Sequence, residues 1–307
     1  MLRYALLRLL GAIPTLLLVI VLAFLMVHAV PGGPFDDERV LPPEIEANIA
    51  AAYNLDAPLH EQFFSYMSGL LRGDLGPSYR LRDYTVSELI GAAFPQSLQI
   101  GALAILLALV VGISAGTAAA LHKDSLLDRM VMAVAMTGIS VPDFVIAPVL
   151  VLFFAVKLQW LPAGWSGASG AGRFVLPVIS LALPQIAYIA RLTRASMIEV
   201  LDSDFVRTAR AQGLGTSAIV RWHALKPAML PVVSYLGPAI AAILTGSVIV
   251  EEIFGINGLG QHFVRGALNR DYTLVLGIVI FYAALVVLFN LIVDLLYGVI
   301  DPRIRRR

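Results

Sequence analysis

The sequence predicts an all-α polytopic membrane protein: six transmembrane helices, with an external helical insertion after the first. Three observations carry that prediction. Apolar residues fill 59% of the 307 positions and charged ones 14%, with a mean hydropathy of +0.83; soluble domains run near about 45–50% and about 25%. Six apolar runs come close to the ~20 residues that a helix needs to cross a bilayer. Between these runs the polar residues are too few and too scattered for a separate soluble catalytic domain.

Composition also excludes function classes. A net charge of +1 is not that of a nucleic-acid binder, which would be distinctly basic. With no cysteine, disulfides, thiolate catalysis and Cys-metal sites are ruled out.

Arg3 and Arg8 precede an uncharged run from Leu9 to Val27. Val27-His28-Ala29 would pass as a signal-peptide cleavage site, but the run exceeds the ~7–15 residues of a signal core, so residues 1–30 read as an uncleaved first span. Residues 31–95 form the external insertion. Within it Pro42-Pro43-Glu44 is a helix start, with Pro tolerated in a first turn and Glu favourable at the dipole's positive end. A second helix follows Pro58 and stops near Gly73, and Thr85-Val86-Ser87-Glu88 is a capping box for a helix approaching the membrane.

Residues 96–300 are a five-helix membrane core. Its spans are Gln96–Leu121, Met130–Val156 (interrupted at Pro142-Asp143), Phe174–Ala190 with Pro177 and Pro184, Ala228–Val250, and Leu274 to about Ile300. Such breakers survive in a membrane where neighbouring helices or a water-filled path satisfy the freed backbone groups. Residues 301–307 are a basic tail. Of the 22 Lys and Arg residues, 14 fall on the side that holds both termini, so the positive-inside rule puts both in the cytoplasm. Trp160 and Trp165 then belong to the outer aromatic belt.

The longest polar interval of the second half, the loop at 199–227, carries Arg207, Arg210, Arg221 and Lys226. It reads as two short helices joined by a bend. Ser203 can cap the first helix and Gly213-Leu214-Gly215 end it, because glycine accepts the left-handed geometry of a helix C-terminus. Thr216 or Ser217 can cap the second, which runs to the Pro227 region. Basic helices between spans form a docking surface for a soluble partner.

Other motifs have blander readings beside the chemical ones. There is no Gly-Lys dipeptide, hence no Walker A phosphate loop; any ATPase must be another chain. Gly112-Ile113-Ser114-Ala115-Gly116 matches G-x-S-x-G but lies inside an apolar helix, where Gly112 and Gly116 read as close helix packing. Ser169 in Gly167-Ala168-Ser169-Gly170 would suit an intramembrane hydrolase, but His122, His223 and His262 fall in predicted loops and His28 and His60 outside a span or at its outer edge, so none is placed as its base. No metal site is expected. Asp143 is an intramembrane carboxylate: either it attracts a peptide's ammonium end along a translocation path, or it sits where Ser140-Val141-Pro142-Asp143 caps a restarted helix. Glu251 and Glu252 either face an outer vestibule of that path or are solvated loop carboxylates. Asp294 fits an interfacial pairing with a tail arginine.

The 199–227 loop resembles the cytoplasmic coupling loop of ABC-importer permeases, which reads Glu-Ala-Ala, three residues, Gly, nine residues, then Ile-x-Leu-Pro. Here Arg207-Thr208-Ala209 fills the first triplet, Gly213 the glycine, and His223, Leu225 and Lys226 the closing positions, with Pro227 one place late. The missing Glu and displaced Pro are similar to the dipeptide/oligopeptide branch. So are Leu41-Pro42-Pro43-Glu44, Leu55-Asp56-Ala57-Pro58-Leu59, Gly73 to Ser78, Met197-Ile198-Glu199-Val200, Val250 to Phe254, Gly258-Leu259-Gly260, Ala267 to Tyr272, Phe289-Asn290 and Asp301-Pro302-Arg303. Asn257 stands where that branch usually has Pro.

The resemblance covers nearly the whole chain and is strongest to the first permease subunit of bacterial oligopeptide importers. It implies the type I ABC-importer permease fold, a bacterial inner-membrane location and no catalysis by this chain. The implied partners are a homologous second permease, two cytoplasmic ABC ATPases and an extracytoplasmic peptide-binding protein, with an oligopeptide as cargo, lipid around the spans and no nucleic acid. ATP and Mg would be bound by the ATPases, and no cofactor by this chain. The coupling residues implied are Arg207, Thr208, Ala209, Arg210, Gly213, Leu214 and Gly215. An ATP-independent secondary transporter or a membrane scaffold is the alternative; secondary carriers often carry internal repeats and paired intramembrane charges.

Overall fold

The computed structural model describes residues 2–29, 56–81, 83–165 and 170–300. The Pro42 helix start, Ser169 and the tail arginines lie outside these residues, and with them the pairing expected of Asp294. The described chain is almost entirely helical. Its elements are α1 (Leu2–Ala29), α2 (Leu59–Leu71), α3 (Val86–Leu121), α4 (Leu126–Ser140), α5 (Asp143–Leu150, prolonged by π-turns over Val151–Lys157) and α6 (Gly172–Leu201). There follow α7 (Asp204–Ala211), α8 (Thr216–Ile219, prolonged by π-turns over Val220–Ala224), α9 (Leu225–Ala228), α10 (Leu230–Phe254), α11 (Leu259–Leu268) and α12 (Tyr272–Ile300).

Among the described residues five helices are long and apolar enough to cross a membrane: Leu10–Ala29 of α1, then α3, α6, α10, and Tyr272–Leu295 of α12. The sixth candidate is not the single interrupted run expected from Met130 to Val156. It is two arms, Leu126–Ser140 and Phe144–Lys157, bent by 110°. The break has a local cause. Val141 precedes Pro142, whose ring excludes the helical conformation from its neighbour, and Val141 is extended at φ −92°, ψ 120°.

Helix ends follow side-chain chemistry. The capping box at the start of α3 is complete: the Glu88 N–H donates to Thr85 Oγ1 at 3.2 Å, and the Thr85 N–H to Glu88 Oε2 at 2.8 Å. The helix therefore begins at Val86, ten residues before the span expected from Gln96. α2 runs as expected from just after Pro58 to just before Gly73, which turns the chain at φ +78°.

α6 is the central helix, wedged against α3, α4, α5 and α10. Between apolar helices in lipid there is little hydrophobic drive, so close approach must supply the attraction. Gly112 and Gly116 supply it. A Cβ on Gly112 would stand 2.8 Å from Ile189 Cγ2, and one on Gly116 would meet the Ala190 carbonyl and Thr193. The glycine pair is thus a packing seam, and Ser114 between them donates to the Val110 carbonyl of its own helix. Around this seam Ile100, Leu176, Leu181, Ile189, Val232 and Ile243 form the main core. The C-terminal helix docks similarly: the Asn290 side chain of α12 lies against Gly237 of α10, where a Cβ would displace its amide.

The external region is tied to the last span by one carboxylate. Buried Asp271 caps α12 by accepting the Leu274 N–H at 3.3 Å. It also accepts the Tyr79 N–H at 3.1 Å, the Arg80 N–H at 3.4 Å and the Ser78 hydroxyl. Arg80 Nε donates to the Asn269 carbonyl at 2.7 Å, closing the clasp. α2 completes the contact by packing Phe63 edge-on to Phe24 of α1, beside Leu276 and Ile280 of α12. Asp271→Ala would strand these donors, and the loss expected is about 2–3 kcal/mol. Limited trypsin digestion should then cut after Arg72 or Arg80 several-fold faster, while Asp271→Asn, which keeps one acceptor oxygen for the cap but turns an NH2 toward the other donors, should fall between.

Candidate coupling surface

The surface is built outward from α6. The helix does not stop at Ala190 as hydropathy suggests but continues to Leu201, because Thr193, Met197 and Leu201 repeat at helical spacing and are buried. With Ala120 of α3, Met197 and Leu201 make the floor of a small apolar cluster. Val206 and Ala209 of α7 rest on that floor, beside Ile219, Ala224 and Ala228.

α7 is amphipathic over two turns: Val206 and Ala209 point in, while Arg207, Thr208 and Arg210 point out. Asp204 in its first turn suits the helix dipole. Ser203 stands at the N-cap position but does not cap with its side chain; its hydroxyl turns back and donates to the Val200 carbonyl at 2.5 Å.

The end of α7 is the bend expected of Gly213. The Leu214 N–H reaches the Ala209 carbonyl at 3.2 Å and the Gly213 N–H the Arg210 carbonyl at 3.0 Å, with Gly213 left-handed at φ +85°. Those two bonds form a Schellman motif. The second helix starts one residue earlier than Thr216 or Ser217 allow as caps. Gly215 is the N-cap, at φ −71° and ψ 154°, because the left-handed residue reverses the chain at once. From Thr216 the chain runs through Ala228, and only Met229 separates it from α10. α7 and α8 are therefore joined to the spans α6 and α10 by almost no slack.

Six of the seven predicted coupling residues, Arg207, Thr208, Arg210, Gly213, Leu214 and Gly215, are exposed together on one surface; Ala209 is the buried anchor beneath them. Arg207 makes a loose 3.3 Å ion pair with Asp204, both exposed. Sequence reasoning missed two apolar members of this surface: Phe205, 48% exposed, and Trp222, 74% exposed. A large aromatic flanked by arginine, as in Arg221-Trp222, was the available signal.

A second missed feature braces this surface. Arg194 of α6 holds Asp128 of α4 through two bonds, Nε to Oδ1 at 2.5 Å and Nη2 to Oδ2 at 2.7 Å. Asp128 also accepts the Asp124 N–H at 3.0 Å, while Ser125 Oγ caps the Asp128 N–H.

The residues expected on a translocation path occupy different settings. Asp143 is the first residue of α5, directly after the break; Ser140 does not cap that restart, since its hydroxyl donates to the Met136 carbonyl at 2.8 Å. Glu252 is exposed near the end of α10. Glu251 is neither in a loop nor solvated: fully buried, it accepts the Gly260 N–H at 2.7 Å, near Ser97 of α3, whose hydroxyl takes the Leu259 N–H at 2.9 Å. A Cβ on Gly258 would run into that carboxylate, so Gly258-Leu259-Gly260 is shaped to receive it.

Residues 108–306 match the family described as the binding-protein-dependent transport system inner membrane component, and residues 1–105 its N-terminal companion. Over 307 residues the chain is 55% identical to the oligopeptide transport system permease protein OppB of Salmonella typhimurium, covering 99% of this chain and all of that one. It is 39% identical to the dipeptide transport system permease protein DppB of Bacillus subtilis, covering 99% of this chain and 98% of the relative. Among solved structures, an inward-facing form of the MetNI methionine ABC transporter superposes with a TM-score of 0.56 at 17% identity, over 69% of this chain and 96% of that one. At that identity the match speaks for the fold, which is that of an ABC-importer permease.

Proposed function

The chain belongs to the family of inner membrane components of binding-protein-dependent transport systems, and from that premise we propose that it is one of two permease subunits of an oligopeptide importer driven by separate ATPases. Support for the cargo is the full-length likeness to permeases named for oligopeptide and dipeptide transport. The partners proposed are a homologous second permease, two cytoplasmic ATPases that bind ATP and Mg, and an external peptide-binding protein. With six crossings, counting the bent pair as one, both termini face the cytoplasm.

One observation carries the coupling role: an exposed basic and aromatic helix pair joined to α6 and α10 with scarcely a free residue between. A force applied to α7 from outside the membrane reaches both spans as a rigid displacement. ATP-driven closure of the ATPases thereby biases the spans between inward- and outward-open states. Arg207 and Arg210 meet acidic or polar groups on the ATPase, Phe205 and Trp222 give the contact its apolar area, and Gly213 sets the angle between the two helices.

The experiment is substitution of Gly213. A Cβ at Gly213 would have nothing within 4 Å, so it meets no clash and it is the left-handed backbone that objects. Gly213→Val costs about 1–2 kcal/mol at that residue and unravels the bend. Expected is a loss of ATP-dependent peptide uptake of about tenfold, with membrane insertion unchanged; Gly213→Asn, which tolerates this conformation, retains most uptake. Equal uptake by the Val variant would remove the coupling assignment.

A further inference from the structure

We propose that the uncovered face of α6 holds a binding station for the C-terminal carboxylate of the transported peptide, made by Arg191 with the stacked rings of Tyr188 and Tyr235. This deepens the importer reading above and rests on it.

Three faces of α6 are occupied. Ile189, Ala190 and Thr193 meet the glycine seam of α3; Ala187 faces Gly138 of α4, with Arg194 on Asp128; Gln185 accepts the Tyr235 hydroxyl of α10 at 2.8 Å. The fourth face runs through Pro184, Tyr188, Arg191, Ala195, Glu199 and Asp202, steps of three and four that keep to one side of a helix. From Arg191 onward that face is exposed.

Other exposed faces of the candidate spans look different. Along the middle of α1 and α4 the outward residues are Leu18, Leu22, Met26, Val134 and Met136, and the exposed charge of α4, Arg129, is confined to its first turn. An uncovered face carrying an arginine and a tyrosine, on the most buried span of the molecule, suits water and a polar cargo rather than acyl chains.

The cluster is pre-shaped. The Tyr188 and Tyr235 rings stack with centroids 4.2 Å apart and planes 17° from parallel, and the Arg191 guanidinium lies 4.9 Å from the Tyr188 ring. Gln185 behind Tyr235 fixes that ring's position. Among the described residues Arg191 forms no ion pair, so its N–H donors are free for an anion. A guanidinium oriented by an aromatic face presents the planar fork that a carboxylate matches with two parallel bonds. The tyrosine pair beside it offers a flat surface to the last side chain of the peptide. Anionic headgroups share the chemistry of that fork, and the test separates the two.

The assembled importer, with its ATPases and peptide-loaded external protein, is reconstituted in vesicles of neutral phosphatidylcholine and in vesicles containing phosphatidylglycerol. Uptake of tetra-alanine and of its C-terminal amide is compared for wild type, Arg191→Gln and Arg191→Lys. The quotient of the two uptake rates, variant over wild type, cancels any preference of the external protein. Expected is an about tenfold fall in that quotient for Arg191→Gln and a smaller one for Arg191→Lys, the same in both vesicle types. Tyr188→Leu should fall between. Co-purification of the partners with each variant reports assembly. Equal loss of both peptides, or a loss that appears only with phosphatidylglycerol, overturns the carboxylate station. If the unmodified complex imports neither peptide, the peptide-importer reading itself fails and the station falls with it.

Discussion

Arg194→Ala should lower the stability of the protein by about 3 kcal/mol, more than any exposed charge substitution. Asp128 is only 3% exposed at its side chain and Arg194 26%, so the two partners are not equivalent. Removing the arginine leaves a buried carboxylate with the Asp124 N–H and the start of α4 as its remaining support. Removing the carboxylate instead, as in Asp128→Asn, leaves an arginine that can turn to water, and the expected loss is about half as large. Replacing both, as Asp128→Leu with Arg194→Met, removes the desolvated charges together and should recover most of the stability. Arg194→Lys keeps the charge but not the two-pronged fit, and belongs between. Thermal unfolding of the four variants in detergent gives the order directly. If the double variant is as unstable as Arg194→Ala, the pair is not the origin of the loss. The position of the pair links stability to function: Arg194 lies two turns before the end of α6, where α7 is attached. If α7 and α8 couple to the ATPases as proposed, loosening α6 from α4 there lets them move without moving the spans, so uptake should fall further than ATP hydrolysis.

How much of this was legible in the sequence depends on distance along the chain. Features with a local cause read well: the Thr85–Glu88 capping box, the turn at Gly73, the left-handed Gly213, the break at Pro142. Each is decided by two to four neighbouring residues. Their geometric consequences did not read equally well. Pro142 announces a break but not its 110° angle, which depends on how the two arms pack on α6 and α10. Gly213 announces a bend, yet the cap of the next helix fell to Gly215 because the turn was tighter than the hydroxyl pattern implied. The end of α6 was misplaced for another reason. Hydropathy stops at Arg191, while the buried stripe of Thr193, Met197 and Leu201 continues under the charged residues. The features that escaped join residues far apart: Asp128 with Arg194, Asp271 with Ser78, Glu251 with Ser97 and Gly260. No spacing rule links residues 66 or 193 positions apart. The motifs Gly73–Ser78 and Ala267–Tyr272 were each visible alone; only the fold shows that they are two halves of one clasp.

Gly116→Val should have the largest effect on folding of any single substitution in the spans, because it strikes the seam on which the rest is mounted. A Cβ at Gly116 would overlap the Ala190 carbonyl oxygen, lie 2.7 Å from Thr193 Cβ and 3.1 Å from the Arg194 amide nitrogen. Two of those atoms are backbone of a long helix and cannot step aside, so α3 and α6 must separate. Over-packing costs about 1–3 kcal/mol where side chains can adjust, and more is expected where a helix axis must shift. Separation at Gly116 also pulls on its neighbours along α6: Thr193 is buried there, and Arg194, next in the chain, holds Asp128. One substitution therefore damages the glycine seam and the ion pair together, and the two losses should not add independently. The control lies on the same helix. Gly91 has nothing within 4 Å of its would-be Cβ, so Gly91→Ala should be neutral or stabilise by up to about 1 kcal/mol through helix propensity. Thermal midpoints in detergent should rank Gly91→Ala at or above wild type, Gly116→Ala clearly below and Gly116→Val lowest or unrecoverable from the membrane. Combining Gly116→Ala with Arg194→Ala tests the link. If the seam holds the ion pair in place, the double variant loses less than the sum of the singles. Full additivity would mean that seam and ion pair act separately, and that α6 is braced at two independent points.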